Sequence, residues 1–66
     1  MKVWVNGAEH RLADGATVSD VLLLLELPQR GVAVALDGEV VPRAEHRRTV
    51  LGDGASVEVF TAVSGG

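Results

Sequence analysis

The last three residues, Ser64-Gly65-Gly66, are the part of this chain best suited to chemistry. They follow an alternating segment, residues 56–62, that has the two-residue period of a β-strand, so the terminal carboxylate would project from a folded body on a short tether. An α-carboxylate has a pKa of about 3.5 and is therefore an anion, and a poor electrophile, at neutral pH. It accepts a nucleophile only after activation, for example by adenylation with ATP.

Glycine suits such a terminus because it has no Cβ. Gly65, preceded by Ser64, can thread in extended form through a narrow channel of an activating enzyme, and Gly66 leaves the reacting carbonyl unbranched. The alternative is a frayed terminus, where small flexible residues normally accumulate without a function. We predict a folded domain over residues 1–62 and a flexible tail over residues 63–66, with Gly66 as the modified residue.

Phe60 is the second candidate for a functional role. In the alternating segment, Val57 and Val59 share one face, while Glu58 and Phe60 share the other. If the valines face the core, Phe60 faces outward on the strand that leads to the tail. We interpret Phe60 as an anchor for partner enzymes, because aromatic residues are enriched at the centres of interfaces. The alternative is an apolar side chain that a neighbour covers.

Other kinds of site are not indicated. The chain has no cysteine, which excludes disulfides, thiolate zinc sites and thiol nucleophiles. His10 and His46 lack the spacing and the further ligands that a metal site needs. The carboxylates are scattered, and 66 residues leave little room to enclose a substrate beside a core. We therefore expect no catalytic residues, no metal and no permanently bound cofactor, and a protein that is a co-substrate rather than an enzyme.

The charge and hydropathy of the chain limit its partners and location. The net charge of -3 argues against nucleic acid, which requires a basic face. Arg43, Arg47 and Arg48 surround Glu45, and we interpret them as a solvated face, with an anion site as the alternative. The longest apolar run, residues 21–25, is far too short to cross a membrane, and no secretory signal is visible. A soluble cytoplasmic protein is expected.

Turn dipeptides divide the rest of the chain into strands. Asn6-Gly7 and Asp37-Gly38 are typical of tight type I′ hairpins, because both residues tolerate positive φ. They predict one hairpin with strands over residues 1–5 and 9–12, and another with strands over residues 32–36 and 39–41. Pro42 then ends the last of these strands. Residues 43–50 have no clear period and are expected to form a loop with one helical turn at most.

The one helix begins at Thr17. Thr17 is a good N-cap, Asp20 completes a capping box three residues later, and Leu27-Pro28 is expected to end the helix. Apolar residues then recur at helical spacing on one face: Val18, Val21, Leu22 and Leu25. Leu23 and Leu24 lie outside this face, and we interpret them as covering loops, with a partner surface as the alternative.

Taken together, the ββαββ order requires an α+β fold, because the apolar face of the helix needs a sheet to cover it. That order, residues 32–43, the Asp53-Gly54 turn and the terminal residues 57–66 resemble the ThiS family, the sulfur carriers of thiamine biosynthesis. The resemblance covers essentially the whole chain. It implies a ubiquitin-like β-grasp fold, with a mixed sheet of four to five strands crossed by one helix and with the first and last strands parallel at its centre.

The resemblance also implies a reaction cycle and three partners. A ThiF-like adenylyltransferase would use ATP to convert the Gly66 carboxylate to an acyl-adenylate. A persulfide protein would then supply sulfur to give a thiocarboxylate, and a thiazole synthase (ThiG) would take that sulfur into the thiazole ring.

Three positions depart from the common pattern of the family. Asp37 stands where Asn is frequent, His46 where Trp is frequent and Ser64 where Gln is frequent. Ser64 before the diglycine also suits the small subunit of molybdopterin synthase (MoaD). The alternatives are therefore a carrier for molybdopterin synthesis, tRNA thiolation or protein conjugation, and a β-grasp interaction module without a carrier function.

Overall fold

The computed structural model of the chain describes residues 1–61. These residues form one sheet and one α-helix, with a short 3-10 helix before the last strand. In chain order the elements are β1 (Lys2–Val5), β2 (Ala8–Arg11), α1 (Val18–Leu24), β3 (Val32–Leu36), β4 (Glu39–Val41), the 3-10 helix (Arg43–Glu45) and β5 (Ser56–Thr61).

The five strands are arranged in the order β2-β1-β5-β3-β4. Two hairpins, β1–β2 and β3–β4, form the two sides of the sheet, and β5 lies between them. β5 runs parallel to β1 and antiparallel to β3. The predicted mixed β-grasp sheet, with the first and last strands parallel at its centre, is therefore confirmed.

Both predicted hairpin turns have the backbone that the sequence requires. Asn6 and Gly7 have φ values of 50° and 84°, and Asp37 and Gly38 have φ values of 49° and 89°. Two successive positive φ values define the type I′ turn, whose twist matches that of the strands it joins. The turn dipeptides therefore fix the registers of the two hairpins.

The core lies between α1 and one face of the sheet. Leu22 of the helix is fully buried, and so are Val3 of β1 and Val57 of β5, each with 0% exposure. Other buried apolar residues around them are Val5, Val18, Val21, Val32, Val34, Val41, Leu51, Ala55 and Val59. The predicted apolar face of the helix is thus confirmed, except that Leu25 at its end is only half-buried.

The helix begins as predicted but ends earlier. Asp20 N–H donates to Thr17 Oγ1, and Thr17 N–H donates to Asp20 Oδ2 at 2.8 Å, which completes the capping box. The helix then stops at Leu24 rather than at Leu27-Pro28. Glu26, with φ of 59°, reverses the chain, and Leu27 N–H donates to the carbonyl of Leu22 at 2.9 Å. This is a Schellman ending with glutamate at the position that glycine usually occupies.

The interpretation of Leu23 and Leu24 as residues that cover loops is wrong. Their exposures are 65% and 45%, so most of Leu23 and nearly half of Leu24 face solvent.

The prediction for residues 43–50 is correct, since a single turn of 3-10 helix interrupts a loop there. His46 follows that turn and is buried, with 2% exposure. Its Nε2 donates to the carbonyl of Val41 at 3.0 Å.

Candidate functional site

The candidate site is the end of β5, from which the chain continues to its C-terminus. β5 is hydrogen-bonded on both sides, to β1 near its start and to β3 along most of its length. The last pair of the ladder joins Thr61 to Val32 of β3. β5 is therefore paired on both sides up to Val59, through β1 and the Asn6 side chain, and on the β3 side alone as far as Thr61.

The tail residues predicted from the sequence, Ser64, Gly65 and Gly66, lie outside the described residues. The same holds for the predicted boundary between a domain at 1–62 and a tail at 63–66. Gly66 lies five positions beyond Thr61 in the chain, and a fully extended chain spans about 17 Å over that distance. That distance bounds how far a reacting carboxylate could lie from the end of β5.

The side chain of Asn6 binds the backbone of β5, a contact that was not predicted from the sequence. Its side-chain Oδ1 accepts from Val59 N–H at 2.8 Å, and its Nδ2 donates to the Val59 carbonyl at 3.3 Å. The Asn6 backbone N–H donates to the carbonyl of Val57 at 2.9 Å. The amide of Asn6 therefore continues the parallel β1–β5 ladder beyond the last residue of β1. No local signal reveals this contact, since the two residues are 53 positions apart.

Phe60 lies as the alternation predicted. Val57 and Val59 are buried, whereas Phe60 is 56% exposed on the outer face of the sheet. Its cross-strand partner is Ala33 of β3, which has a small side chain. An open depression at this end of the sheet is lined by Gly31, Val32, Ala33, Phe60 and Thr61. An exposed aromatic ring therefore stands next to the point where the chain leaves β5.

Residues 1–61 contain neither a metal-binding group of His, Asp or Glu side chains nor a helix long and apolar enough to span a membrane. The depressions in this part of the chain are open, and in the one that Ser19 and His46 share, the Ser19 hydroxyl and the free ring nitrogen of His46 are not hydrogen-bonded to each other.

Comparison with known proteins decides the family. A model of the ThiS family matches residues 3–66, which include the terminal Gly65-Gly66. The chain belongs to the ThiS family. It is 30% identical to the sulfur carrier protein ThiS of Escherichia coli strain K12 over 66 residues, which cover all of both chains. Membership in the ThiS family makes the chain a sulfur carrier protein of thiamine biosynthesis rather than a catalyst.

The fold agrees with this family. The crystal structure of the thiamine biosynthesis protein ThiS from Geobacter metallireducens superposes with a TM-score of 0.81 at 33% identity, and the match covers all of both chains. A thiazole synthase of Paramagnetospirillum magneticum also contains a matching region, 32% identical over 66 residues, which make up 20% of that longer protein. A ThiS-like domain is therefore fused to a thiazole synthase in that relative.

Proposed function

We propose that the Gly66 carboxylate is the sulfur-carrying group of this chain. A ThiF-like enzyme transfers AMP from ATP to this carboxylate and releases pyrophosphate. The outer sulfur of a persulfide protein then attacks the acyl carbon and expels AMP. Reduction of the resulting S–S bond by a thiol leaves the thiocarboxylate. The observation that carries the proposal is the family match, which extends through Gly66.

In the proposed function, the sheet positions the start of the tail, and the tail carries the reacting carboxylate to the enzyme. β1 and the Asn6 amide hold β5 on one side up to Val59, and β3 holds it on the other side up to Thr61, so an enzyme that binds the sheet also positions the start of the tail. Reacting groups must approach to about 3–3.5 Å, and a defined origin reduces the search that this requires. The five residues beyond Thr61 then supply the reach, with Ser64 and Gly65 threading the channel.

Phe60 is the proposed anchor for the activating enzyme. It is 56% exposed, and its ring borders the depression at the end of β5. An aromatic side chain in such a position offers a large apolar area that a complementary pocket can desolvate. The proposed partners are thus a ThiF-like adenylyltransferase, which engages Phe60 and the tail, and a persulfide protein.

A ThiG-like thiazole synthase is the proposed acceptor of the sulfur. The fusion of a ThiS-like domain to a thiazole synthase in Paramagnetospirillum magneticum supports this pairing, because it keeps the two components together. We place the reaction in the cytoplasm, where ATP is available, with no permanently bound cofactor in the carrier. Nucleic acid and membrane are not partners in this scheme.

The test of this function is exchange of labelled pyrophosphate into ATP by the adenylyltransferase encoded in the same genome. The carrier should support exchange, and a variant that lacks Gly66 should not. Exchange at the same rate with both chains would contradict the proposal, because the carboxylate of Gly66 would then not be the group that is adenylated.

A further inference from the structure

A groove with an excess of positive charge runs between the start of α1 and the 3-10 turn, on a part of the surface that the proposed chemistry does not use. We define the basic groove by the residues that line it: Ser19, Gln29, Arg30, Arg43, His46 and Arg47. Its volume is about 490 Å³, and it is open to solvent. Three separate segments of the chain contribute to it, so only the folded protein assembles it.

The three arginines of the basic groove have no acidic partner among residues 1–61. The ion pairs in this part of the chain join the N-terminus to Asp14 and Lys2 to Glu9, and neither involves an arginine. Glu45 lies between Arg43 and Arg47 in sequence, but it lines a different depression beside β4. The interpretation of these arginines as a simple solvated face therefore misses a local excess of positive charge on a chain whose net charge is -3.

The floor of the basic groove is polar. Ser19 Oγ and His46 Nδ1 are buried and have no hydrogen-bond partner among the described residues. The His46 ring cannot turn to relieve this without losing the bond from Nε2 to the Val41 carbonyl. Gln29 Nε2 donates to the Ser19 carbonyl at 3.4 Å and closes one side. Buried polar groups without hydrogen-bond partners are unfavourable, so Ser19 Oγ and His46 Nδ1 beneath the basic groove favour a polar ligand over an apolar one.

The basic groove and the depression where the chain leaves β5 are lined by consecutive residues of the chain. Gln29 and Arg30 line the groove, and the next residues, Gly31, Val32 and Ala33, line the depression around Phe60. Val32 is also the partner of Thr61 in the last pair of the ladder. An enzyme that contacts Phe60 and receives the tail therefore has the basic groove within its reach.

We propose that the basic groove is a second docking site for the tail-activating enzyme, and that it takes an acidic segment of that enzyme whose carboxylates pair with Arg43 and Arg47. This inference rests on the proposed function, which requires such an enzyme. Guanidinium groups pair with carboxylates through two parallel hydrogen bonds, and these fix orientation as well as attraction. Phe60 and the basic groove then hold the carrier at two points on either side of residues 31–33.

Charge complementarity of this kind acts mainly on the rate of association. Exposed charges steer partners together at low ionic strength, and salt screens them over a Debye length of about 8 Å at physiological ionic strength. The arginines of the basic groove should therefore affect encounter with the enzyme more than the chemical step. In steady-state terms, they should lower the KM for the carrier and leave kcat for adenylation unchanged.

The test compares Arg47→Gln with Arg48→Gln. Both arginines are exposed neighbours, both substitutions remove one charge, and only Arg47 lines the basic groove. Adenylation kinetics with the cognate enzyme and association rates are measured at low and high salt. The double variant Arg43→Gln/Arg47→Gln should associate about tenfold more slowly at low salt. Its KM should rise with unchanged kcat, and the difference should vanish at high salt. Arg47→Gln alone should associate more slowly at low salt than Arg48→Gln, although each loses one charge.

Three other outcomes would contradict the docking site. Equal effects of Arg47→Gln and Arg48→Gln would show a dependence on net charge alone and would overturn the docking site while leaving the carrier function intact. An unchanged chain that the enzyme neither binds nor adenylates would overturn both proposals. Saturable binding of inorganic phosphate in the groove, followed by NMR of the free chain, together with full activity of the double variant, would assign the groove to a small oxyanion and contradict protein docking.

Discussion

Asn6 combines two roles that are usually filled by different residues. Its backbone adopts the positive φ of the hairpin turn, and its side-chain amide binds the Val59 backbone as a further residue of the parallel ladder would. The second role matters for function, because Val59 immediately precedes Phe60 in the strand that leads to the tail. A single polar side chain in the first hairpin thus stabilises the end of β5.

Substitution of Asn6 by glycine separates these two roles. Glycine keeps the positive φ without strain but has no amide, so the Val59 N–H and carbonyl lose their partners. We expect Asn6→Gly to lower the free energy of unfolding by about 1–2 kcal/mol. Denaturant titration gives this value, and hydrogen exchange at the Val59 amide should become faster. Unchanged protection of that amide would show that the side chain does not hold β5.

Phe60 should matter for binding and not for folding, because more than half of its surface is exposed. Phe60→Ala is expected to weaken binding to the activating enzyme by more than about 1 kcal/mol while the melting temperature stays nearly constant. Val50→Ala is a suitable control, since Val50 is 60% exposed in a loop outside β5. If Phe60→Ala instead lowered stability strongly and left the affinity of the folded protein unchanged, the ring would be part of the core.

At the scale of elements, α1 offers a direct test of which face supports the fold. Leu22 is fully buried against the sheet, whereas its neighbour Leu23 is 65% exposed. Leu22→Ala should reduce the free energy of unfolding by about 2–5 kcal/mol, and Leu23→Ala should change it by less than about 0.5 kcal/mol. A domain of this size has little stability in reserve, so the first variant should be near the limit of folding. Comparable losses in the two variants would contradict the described orientation of the helix.

Elements with local signals could be predicted from the sequence. The hairpins follow from Asn6-Gly7 and Asp37-Gly38, whose positive φ values only a few residue types tolerate. The helix start follows from the Thr17 capping box, in which donor and acceptor are three residues apart. In each case the physical cause lies within a few residues of the element that it shapes.

Features that depend on distant contacts could not be predicted in this way. The helix end was misplaced because Glu26 adopts a positive φ, which is unfavourable for glutamate, so its residue type gives no sign of the Schellman ending that closes the helix there. The bond of Asn6 to Val59 and the assembly of the basic groove from three segments have no local signature. The candidate tail was found because its chemistry depends on residue type and position in the chain, not on packing.

At the scale of the whole molecule, the proposed function gives the sheet the task of positioning the terminus and gives the terminus the reaction. β5 lies at the centre of the sheet, and its last described residue is five positions before Gly66. Removal of one residue shortens an extended tail by about 3.5 Å, which equals the approach distance that a reaction requires. An added residue converts the carbonyl of Gly66 to an unreactive amide. Both changes lie beyond the residues that the structure describes, and we expect them to leave the melting curve unchanged.

The intact mass of the chain after thiocarboxylate formation is the most direct test of whether Gly66 carries the sulfur. The unchanged chain, a variant without Gly66 and a variant with one added C-terminal residue are incubated with the adenylyltransferase, ATP and a persulfide donor, and their intact masses are determined. We expect the mass increase of one oxygen-to-sulfur exchange in the unchanged chain and none in either variant. Thiolation of either variant at the rate of the unchanged chain would contradict the assignment of Gly66 as the sulfur-carrying residue.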